Sequence, residues 1–310
     1  MADADALIVR TRTRCDAALL EGSSVKVIAL TAIGTDNVDL GFCEANGIFV
    51  QNASGCSSVA VTNYVFSALY GVAARKSIKF ENPTIGIIGV GNTGRRVEHM
   101  AYALGFRVLK NDPPRAEAEG QFEFSTMDRL LAESDVVTMH VPLNSDTRGM
   151  VDAEFLGKMR PGAIFINASR GEIVDDDALK AAIPKLGAVI IDTWNNEPDI
   201  DKELVSMVDI ATPHIAGYSY QSKQNGTASA VRTIARYFDI KPLTEFFPAT
   251  DVGDPEAVKL DVRGRSQGQI ASLFQYNYPI FTDDFMLRID PSAFQRLRSE
   301  YSYRREFYLD

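Results

Sequence analysis

The sequence predicts an α/β protein built on parallel β-sheets, with two lobes and a small C-terminal addition. Short apolar runs alternate with helical stretches along most of its 310 residues, which is the pattern of βαβ units. A glycine-rich fingerprint follows one of these runs, and chemically active side chains follow three others. Because the runs are rich in Val and Ile, we expect their strands to be covered by helices on both faces.

Eight strands are predicted, at residues 6–9, 25–30, 85–90, 107–109, 136–140, 163–167, 189–192 and 209–212. Two long helical stretches, 57–75 and 222–238, interrupt this rhythm and are expected to join the lobes. After Lys241-Pro242 the pattern changes to turns, short strands and an aromatic, charged end. We therefore expect residues 242–310 to form a separate α+β appendage.

The composition is that of a folded, soluble protein, with 45% hydrophobic and 24% charged residues. A net charge of -9 makes nucleic acid or an anionic membrane an unexpected partner, so an anionic ligand needs a local basic group. No apolar run approaches the ~20 residues of a membrane span, and the acidic N-terminus lacks a secretory pattern. Cys15, Cys43 and Cys56 fit neither a disulfide framework nor a zinc site. These features predict a cytoplasmic protein without a metal.

The segment Gly89-Val-Gly91-Asn-Thr-Gly94 follows an apolar run and precedes a helical stretch. This is the dinucleotide-binding fingerprint, in which the first glycine turns the chain, the second admits the pyrophosphate and the third lets helix and strand pack closely. The pyrophosphate would lie at the helix N-terminus, beside Asn92 and Thr93, where free amides favour anions.

Asp112 ends the next strand, where the fingerprint places an acid for the ribose hydroxyls of the cofactor. A carboxylate there would repel the 2′-phosphate of NADP, so the predicted cofactor is NAD and its predicted domain is residues 65–218. An alternative stays open, because an acid before Pro113-Pro114 can also serve the turn alone.

Arg170, Glu197 and His214 each stand where a predicted strand ends. The carboxyl ends of parallel strands face one crevice, which is where open α/β sheets bind ligands. The planar fork of arginine suits a carboxylate, and a histidine beside a carboxylate suits proton transfer between a hydroxyl and a carbonyl. Each residue alone would more often be structural, but together they favour a hydride-transfer site.

Four segments together resemble the D-isomer-specific 2-hydroxyacid dehydrogenases. They are the glycine fingerprint, Asn167-Ala-Ser-Arg170-Gly, Asp192-x-Trp-x-x-Glu197-Pro and Pro213-His214-Ile-Ala-Gly217. Within that family the chain is most similar to the erythronate-4-phosphate dehydrogenase branch. Further segments carry this narrower similarity, namely Ala4 to Thr13, Asn52-Ala-Ser-Gly55-Cys56, Asp112-Pro-Pro-Arg115-Ala, Tyr218 with Lys223, and Leu297-Arg-x-x-Tyr301-x-x-Arg304-Arg305-Glu306.

The resemblance implies NAD-dependent oxidation of 4-phospho-D-erythronate to 2-oxo-3-hydroxy-4-phosphobutanoate, in the formation of pyridoxal 5′-phosphate. It implies that His214 is the acid/base, Glu197 its partner and Arg170 the anchor of the substrate carboxylate. The implied cofactor contacts are Val141, Ala168, Ser169, Arg170, Asp192 and Gly217, and the implied substrate contacts are Thr11, Ala32 and Tyr218. The implied fold is a Rossmann-type domain with a flavodoxin-like substrate lobe, residues 1–64 and 219–241, in a homodimer.

The chain departs from the family pattern at several points. Ala32 stands where relatives carry a substrate-binding Thr, Val141 replaces another Thr and Ser54 replaces a Pro. The first βα unit of the substrate lobe is expected to be missing, and the C-terminal dimerisation domain to be shortened. Two other functions stay open: a dehydrogenase of phosphoglycerate or glycerate, and an NAD-binding, corepressor-like protein without turnover.

Two surface features also leave alternatives open. Arg10, Arg12 and Arg14 would share one side of an extended segment, and they either bind the substrate phosphate or form a solvated edge. Lys223, Arg304 and Arg305 are the next candidates for the phosphate. A stripe of residues at helical spacing either forms the dimer surface or covers the chain's own core, and it consists of Phe294, Leu297 and Tyr301.

Overall fold

The structure of the chain is a computed structural model that describes residues 3–249 and 256–310. The remaining positions of the predicted substrate lobe and appendage, residues 1–2 and 250–255, lie outside the described residues. The described strands form three sheets, and every strand pairing in them is parallel. The predicted fold class, α/β with a Rossmann-type domain, is confirmed.

The N-terminal sheet has three strands in the order β1-β2-β3. Its elements are β1 (Ala6–Val9), α1 (Ala17–Leu20), β2 (Val27–Leu30), α2 (Leu40–Ala45) and β3 (Phe49–Gln51). The strand β2 is fully buried, whereas β3 is an edge strand that leaves 46% of Phe49 exposed. The strand β3 was not predicted, because a short and half-exposed strand gives a weak apolar signal.

The central sheet has six strands in the order β5-β4-β6-β7-β8-β9. Its elements, with their helices, are α3 (Ser58–Lys76), β4 (Thr84–Ile88), α4 (Asn92–Ala103), β5 (Arg107–Asn111), α5 (Pro113–Glu119), α6 (Met127–Glu133), β6 (Val136–Met139), α7 (Ala153–Lys158), β7 (Ile164–Asn167), α8 (Asp176–Ala182), β8 (Ala188–Ile191), α9 (Lys202–Met207) and β9 (Ile210–Ala211). The chain runs from β4 out to β5 and then back to β6, so the strand order reverses at β4. Ligands bind at such a switch point in open α/β sheets.

Two long helices connect the lobes, as the sequence predicts. The helix α3 is buried along most of its length, and the second long helix, α10 (Tyr220–Tyr237), packs on β2. Within residues 3–249 and 256–310, no helix combines the length and the apolarity that crossing a membrane requires.

The C-terminal segment is more helical than the sequence predicts. It contains β10 (Val258–Leu260), α11 (Gln267–Asn277), α12 (Ile280–Ile289), α13 (Phe294–Ser299) and β11 (Phe307–Leu309). It also does not stand apart, because Phe274 and Phe307 are buried in the same core as α3 and β4. A two-stranded sheet such as β10-β11 cannot bury an apolar face alone, so the segment packs on the central domain.

The predicted stripe in this segment covers the chain's own core. Phe294 is fully buried beside Leu287, and Leu297 is partly buried against the same cluster. The helix α13 ends at Ser299, before Tyr301. The hydroxyl of Tyr301 donates to Asp283 at 3.1 Å, so this residue also faces inward. The interpretation of the stripe as a dimer surface is therefore wrong.

Candidate active site

A cleft of about 1470 Å³ opens between the lobes at the carboxyl ends of the central strands. It is larger than the ~300–1,000 Å³ of an ordinary ligand pocket, as a dinucleotide together with a substrate would require. Most sequence-predicted site residues line it, namely Thr11, Ala32, Gly91, Asn92, Thr93, Val141, Ala168, Ser169, Arg170, Asp192, Glu197, His214, Gly217 and Tyr218. Gly89, Gly94 and Asp112 are not part of the lining, and their places are described below.

The glycine loop has the form that a pyrophosphate needs. Gly89 has a φ of +84°, and a Cβ on Gly94 would lie 2.1 Å from the Gly89 carbonyl oxygen, so both positions require glycine. Gly91 is the N-cap of α4 without a side-chain cap, and a Cβ there would meet no atom within 4 Å. The amides at the start of α4 therefore open onto the cleft, where they could hold an anion. The loop fits the phosphates of NAD.

The half-buried Asp112 lies behind this loop. One carboxylate oxygen accepts from the Val90 amide at 2.7 Å, and the other accepts from the Arg115 amide at 3.2 Å and caps α5. The carboxylate therefore fixes the glycine loop and starts a helix, which is the turn role that the sequence left open. Its contact with the ribose stays a prediction.

His214 and Glu197 form a close pair in the cleft. The Nδ1 atom of His214 lies 2.8 Å and 3.0 Å from the two oxygens of Glu197, which also accepts from the Trp194 amide at 3.0 Å. Burial would raise the pKa of Glu197, but His214, this amide and the nearby Arg298 together hold that pKa below its usual value. Glu197 is thus a charged partner for Nδ1, and Nε2 is the ring nitrogen left for a ligand.

Asp192 supports the loop that carries His214. Its carboxylate is fully buried and accepts three hydrogen bonds, from the Thr212 hydroxyl at 2.7 Å and from the Ile215 and Ala216 amides at 2.9 Å. The backbone amide of His214 donates to the Asp192 carbonyl at 2.8 Å. This network holds His214 at a φ of +54°, an uncommon conformation for a non-glycine residue. Burial raises the pKa of Asp192 even though these bonds and His214 oppose the shift.

Arg170 follows β7 and reaches across the cleft. The side-chain amide of Asn167 donates to the Arg170 carbonyl at 2.9 Å and fixes the turn. The guanidinium donates to the Ser169 carbonyl at 2.8 Å and to the carboxylate of Asp36 in the other lobe. A planar cation thus lies in the same cleft as the His214–Glu197 pair.

Cations from three parts of the chain come together in the cleft. Arg10, Lys223 and Arg298 line it, and both arginines depress the pKa of Lys223. Burial is the larger cause of that shift, which lowers the pKa of Lys223 to about 8. The ammonium lies 3.6 Å from the centre of the Tyr218 ring. We call these three residues the cationic group.

The expectation that Arg10, Arg12 and Arg14 share one side of an extended segment is wrong. The segment after Arg10 is a turn rather than extended, with the Thr13 amide donating to the Arg10 carbonyl at 3.3 Å, so Arg10 and Thr11 both face the cleft. Arg12 and Arg14 lie outside the cleft lining, and Arg14 pairs with Asp16 at 2.8 Å.

Among the further candidates for the phosphate, Lys223 lines the cleft and Arg304 does not. The guanidinium of Arg304 donates to both oxygens of Asp283 at 2.8 Å and 2.7 Å. This ion pair holds Arg304 inside the C-terminal segment. Arg305 is likewise absent from the residues that line the cleft.

Sequence reasoning missed Arg298 and Tyr303 as cleft residues. The Nε atom of Arg298 donates to the Tyr218 hydroxyl at 3.1 Å, and its Nη1 atom lies 3.7 Å from a Glu197 oxygen. The Tyr303 ring packs edge-on against Tyr218. The motif around Leu297 and Tyr301 marked this segment, but no spacing in the sequence shows that it folds back onto the site.

His140 also lines the cleft, beside the Thr138 hydroxyl at 3.0 Å from its Nε2 atom. Burial lowers the pKa of His140 to about 3, so its ring is neutral at physiological pH. In the part of the chain that the structure describes, no group of three or more His, Cys, Asp or Glu side chains could hold a metal ion.

Residues 68–216 match the family model described as "D-isomer specific 2-hydroxyacid dehydrogenase, NAD binding domain". An erythronate-4-phosphate dehydrogenase of Bacteroides fragilis is 40% identical over 98% of this chain and 86% of its own length. A protein of the same name from Escherichia coli is 37% identical over 99% of this chain and 83% of its own length.

Solved structures of dehydrogenases have a similar fold. D-lactate dehydrogenase from Aquifex aeolicus, complexed with NAD and lactic acid, has a TM-score of 0.68 and 26% identity over 80% of this chain and 88% of its own. The NAD⁺-bound 3-phosphoglycerate dehydrogenase of Entamoeba histolytica has a TM-score of 0.65 and 26% identity over 80% of this chain and 83% of its own. The chain therefore belongs to the D-isomer-specific 2-hydroxyacid dehydrogenase family, and it is an NAD-dependent oxidoreductase.

Proposed function

We propose that the chain oxidises 4-phospho-D-erythronate at its 2-hydroxyl with NAD, giving 2-oxo-3-hydroxy-4-phosphobutanoate in the formation of pyridoxal 5′-phosphate. The observation that carries this proposal is the cationic group in the same cleft as His214 and Arg170. The erythronate-4-phosphate dehydrogenases that the chain resembles at 37–40% identity support the same substrate.

The charges of the cleft match the charges of this substrate. Arg170 can bind the carboxylate at C1 through its planar fork. His214 then faces the hydroxyl at C2. The cationic group can bind the phosphate at C4, with Arg298 lying between Glu197 and the Tyr218 hydroxyl. A carboxylate at one end and a phosphate at the other end thus fix which carbon meets His214.

The chemistry assigned to the side chains is a proton transfer coupled to hydride loss. The Nε2 atom of His214 accepts the proton of the 2-hydroxyl as the C2–O bond becomes a carbonyl. Glu197 stabilises the imidazolium that forms and keeps the ring in place. NAD, when bound, would supply the acceptor for the hydride lost from C2. His214 then releases the proton to solvent, which restores the base for the next turnover.

Most of the residues proposed to hold NAD line the cleft. The amides of Gly91, Asn92 and Thr93 start α4 and would bind the pyrophosphate. Asp112 would bind the ribose beside the loop that it fixes. The remaining proposed contacts are Val141, Ala168, Ser169, Arg170, Asp192 and Gly217, with Thr11, Ala32 and Tyr218 on the substrate side.

A panel of acids tests this function. The protein is incubated with NAD and 4-phospho-D-erythronate, 3-phospho-D-glycerate or D-glycerate, with a carbonyl-trapping reagent present, and NADH formation is followed. We expect the highest kcat/KM for 4-phospho-D-erythronate. A higher value for 3-phospho-D-glycerate would indicate the phosphoglycerate alternative, and NAD binding without NADH formation from any acid would indicate the corepressor-like one.

We also propose a homodimer. The helix α12 presents an apolar face to solvent, where Phe285, Met286 and Ile289 are 61%, 44% and 63% exposed. Exposed apolar clusters of this kind are typical of interfaces. Sedimentation of the wild type should give a dimer, and Ile289→Glu should give a monomer. A monomeric wild type would contradict the homodimer, and a dimeric variant would place the interface elsewhere.

We propose that the protein acts in the cytoplasm. Cys15, Cys43 and Cys56 are all free thiols, and free thiols are kept reduced in that compartment. A labelled copy of the chain that fractionated outside the cytoplasm would contradict this placement.

A further inference from the structure

We propose that Asp36 is a positioning residue for Arg170, which it holds from the opposite lobe in the orientation that binds the substrate carboxylate. This inference rests on the proposed function, because it concerns how the carboxylate of a 2-hydroxy acid is received. Asp36 follows β2 in the N-terminal lobe, whereas Arg170 follows β7 in the central domain.

Asp36 binds the edge of the Arg170 guanidinium that carries Nε and Nη2. One oxygen of Asp36, Oδ2, accepts from Nε at 3.1 Å and from Nη2 at 3.0 Å. The Nη1 atom donates to the Ser169 carbonyl at 2.8 Å. Arginine carries five N–H donors, so these three contacts leave one N–H on each terminal nitrogen. Those two form the end of the fork, which can bind a carboxylate with two parallel hydrogen bonds.

Asp36 therefore holds the guanidinium without taking the place of the substrate. A long side chain that is free to rotate loses rotamer freedom when it binds a ligand. Arg170 has already lost that freedom, because Asp36 holds its Nε and Nη2 atoms and the Ser169 carbonyl holds its Nη1 atom. The cation is thus oriented before the substrate arrives.

The backbone of the loop that carries Asp36 also lies against the guanidinium. A Cβ on Gly34 would lie 2.1 Å from the Nη2 atom of Arg170. The absence of a side chain at Gly34 is what lets the guanidinium rest against this loop. The loop belongs to one lobe and Arg170 to the other, so residues of both lobes orient the cation.

A structural role alone accounts poorly for the pair. The side chains are 54% exposed in Asp36 and 27% exposed in Arg170. Ion pairs that are this exposed to solvent and salt contribute little to folding stability. We therefore expect the loss of Asp36 to change substrate binding and to leave thermal unfolding unchanged.

The test compares Asp36→Ala and Asp36→Asn with the wild-type protein, with KM and kcat measured for 4-phospho-D-erythronate. We expect Asp36→Ala to raise KM roughly tenfold, which is the size of coupling that contacting residues show. Asp36→Asn keeps an oxygen that can accept both N–H groups, so its increase should be smaller. The affinity for NADH, measured by its fluorescence, and the Tm should stay at the wild-type values.

Asp39→Asn is the matched control. It removes a carboxylate from the same loop, but that carboxylate caps α2 by accepting from the Phe42 amide at 2.9 Å, and Asn caps helices as well as Asp does. We expect the kinetics of this variant to be those of the wild type. An equal increase in KM for the control would show that loop charge, rather than the contact with Arg170, is responsible.

A double-mutant cycle completes the design. The affinity for the phosphorylated 2-hydroxy acid is measured in Asp36→Ala, in Arg170→Ala and in the double variant, and the effect of Asp36→Ala should vanish when Arg170 is absent. A lower KM in Asp36→Ala would overturn the inference, since it would show that Asp36 competes with the substrate. An unaltered KM would overturn it as well. A wild type that oxidises no D-2-hydroxy acid would instead overturn the proposed function.

Discussion

The cleft has two parts, here called the reaction end and the phosphate end, and they are built in different ways. At the reaction end, Arg170, Asp192 and His214 follow successive strands of one sheet, and hydrogen bonds such as those to Asp192 fix the loops between them. At the phosphate end, Arg10, Lys223 and the C-terminal Arg298 come from three distant parts of the chain.

This difference separates the reaction from the binding of the phosphate. The sheet fixes the residues that carry the reaction, because strand ends cannot move relative to one another without breaking the ladder. The phosphate end depends on how the N-terminal lobe and the C-terminal segment pack on that sheet. We therefore expect substitutions of the His214–Glu197 pair to lower kcat, and substitutions at the phosphate end to raise KM for phosphorylated substrates.

The largest effect is expected at the reaction end. His214→Ala should lower kcat by ~10²- to 10⁴-fold, which is the usual contribution of a general acid or base. The Kd for NADH, measured by calorimetry, should stay close to the wild-type value. Near-native turnover in this variant would contradict the assignment of His214. Glu197→Gln is the companion variant, and we expect a smaller loss because the ring would keep a hydrogen-bond partner.

Substitutions at the phosphate end should raise KM for the phosphorylated substrate. Arg10→Gln should raise KM for 4-phospho-D-erythronate by ~10- to 100-fold, the range expected when a charged hydrogen bond is lost. KM for unphosphorylated D-erythronate should change little. Arg12→Gln is the matched control, because Arg12 lies outside the cleft lining. An equal increase in KM for both substrates would show that the cationic group does not bind the phosphate.

The cofactor side of the cleft offers a further comparison, because Asp112 directly follows β5 of the central sheet and caps α5. We expect the wild type to bind NADPH about tenfold more weakly than NADH, since a carboxylate repels the 2′-phosphate. Asp112→Asn should narrow this difference and keep the cap of α5, because Asn is also a good cap. The NH2 group of Asn cannot accept from the Val90 amide, so the affinity for both cofactors should fall as well. Tighter calorimetric binding of NADPH than of NADH to the wild type would contradict the ribose contact.

The smallest expected effect is a pH dependence at the phosphate end. Burial, together with Arg10 and Arg298, lowers the pKa of Lys223 to about 8. The ammonium is therefore charged below pH 8 and loses its charge above it, so attraction for a phosphate weakens as pH rises. We expect KM for the phosphorylated substrate to rise roughly threefold from pH 7 to pH 9, while KM for D-erythronate does not follow this course. Lys223→Arg should remove the rise, and a rise that persists in that variant would exclude Lys223 as its cause.

The same difference explains what the sequence could predict. Most strands, the glycine loop and the strand-end positions of Arg170, Glu197 and His214 could be predicted, because local patterns determine them. Glu197 could thus be paired with His214 in advance, and the structure places Nδ1 2.8 Å from its carboxylate.

Contacts between distant segments could not be predicted. Nothing in the order of residues shows that Arg298 returns to Glu197, or that Asp36 meets Arg170. The turn after Arg10 was also missed, because alternating Arg and Thr residues are typical of an extended segment. The helices α11 and α12 were missed because their apolar residues face a core that the rest of the chain supplies, as Phe274 and Ile280 show.

The most direct test of the account is the ratio of kcat/KM for 4-phospho-D-erythronate to kcat/KM for D-erythronate, measured on the wild-type protein with NAD. The two acids differ only in the phosphate, so the ratio isolates the contribution of the cationic group. We predict a ratio of about 100 or more, since several charge-assisted hydrogen bonds would be lost with the phosphate. A ratio near one, with turnover of both acids, would contradict the proposal that the cationic group selects a phosphorylated substrate.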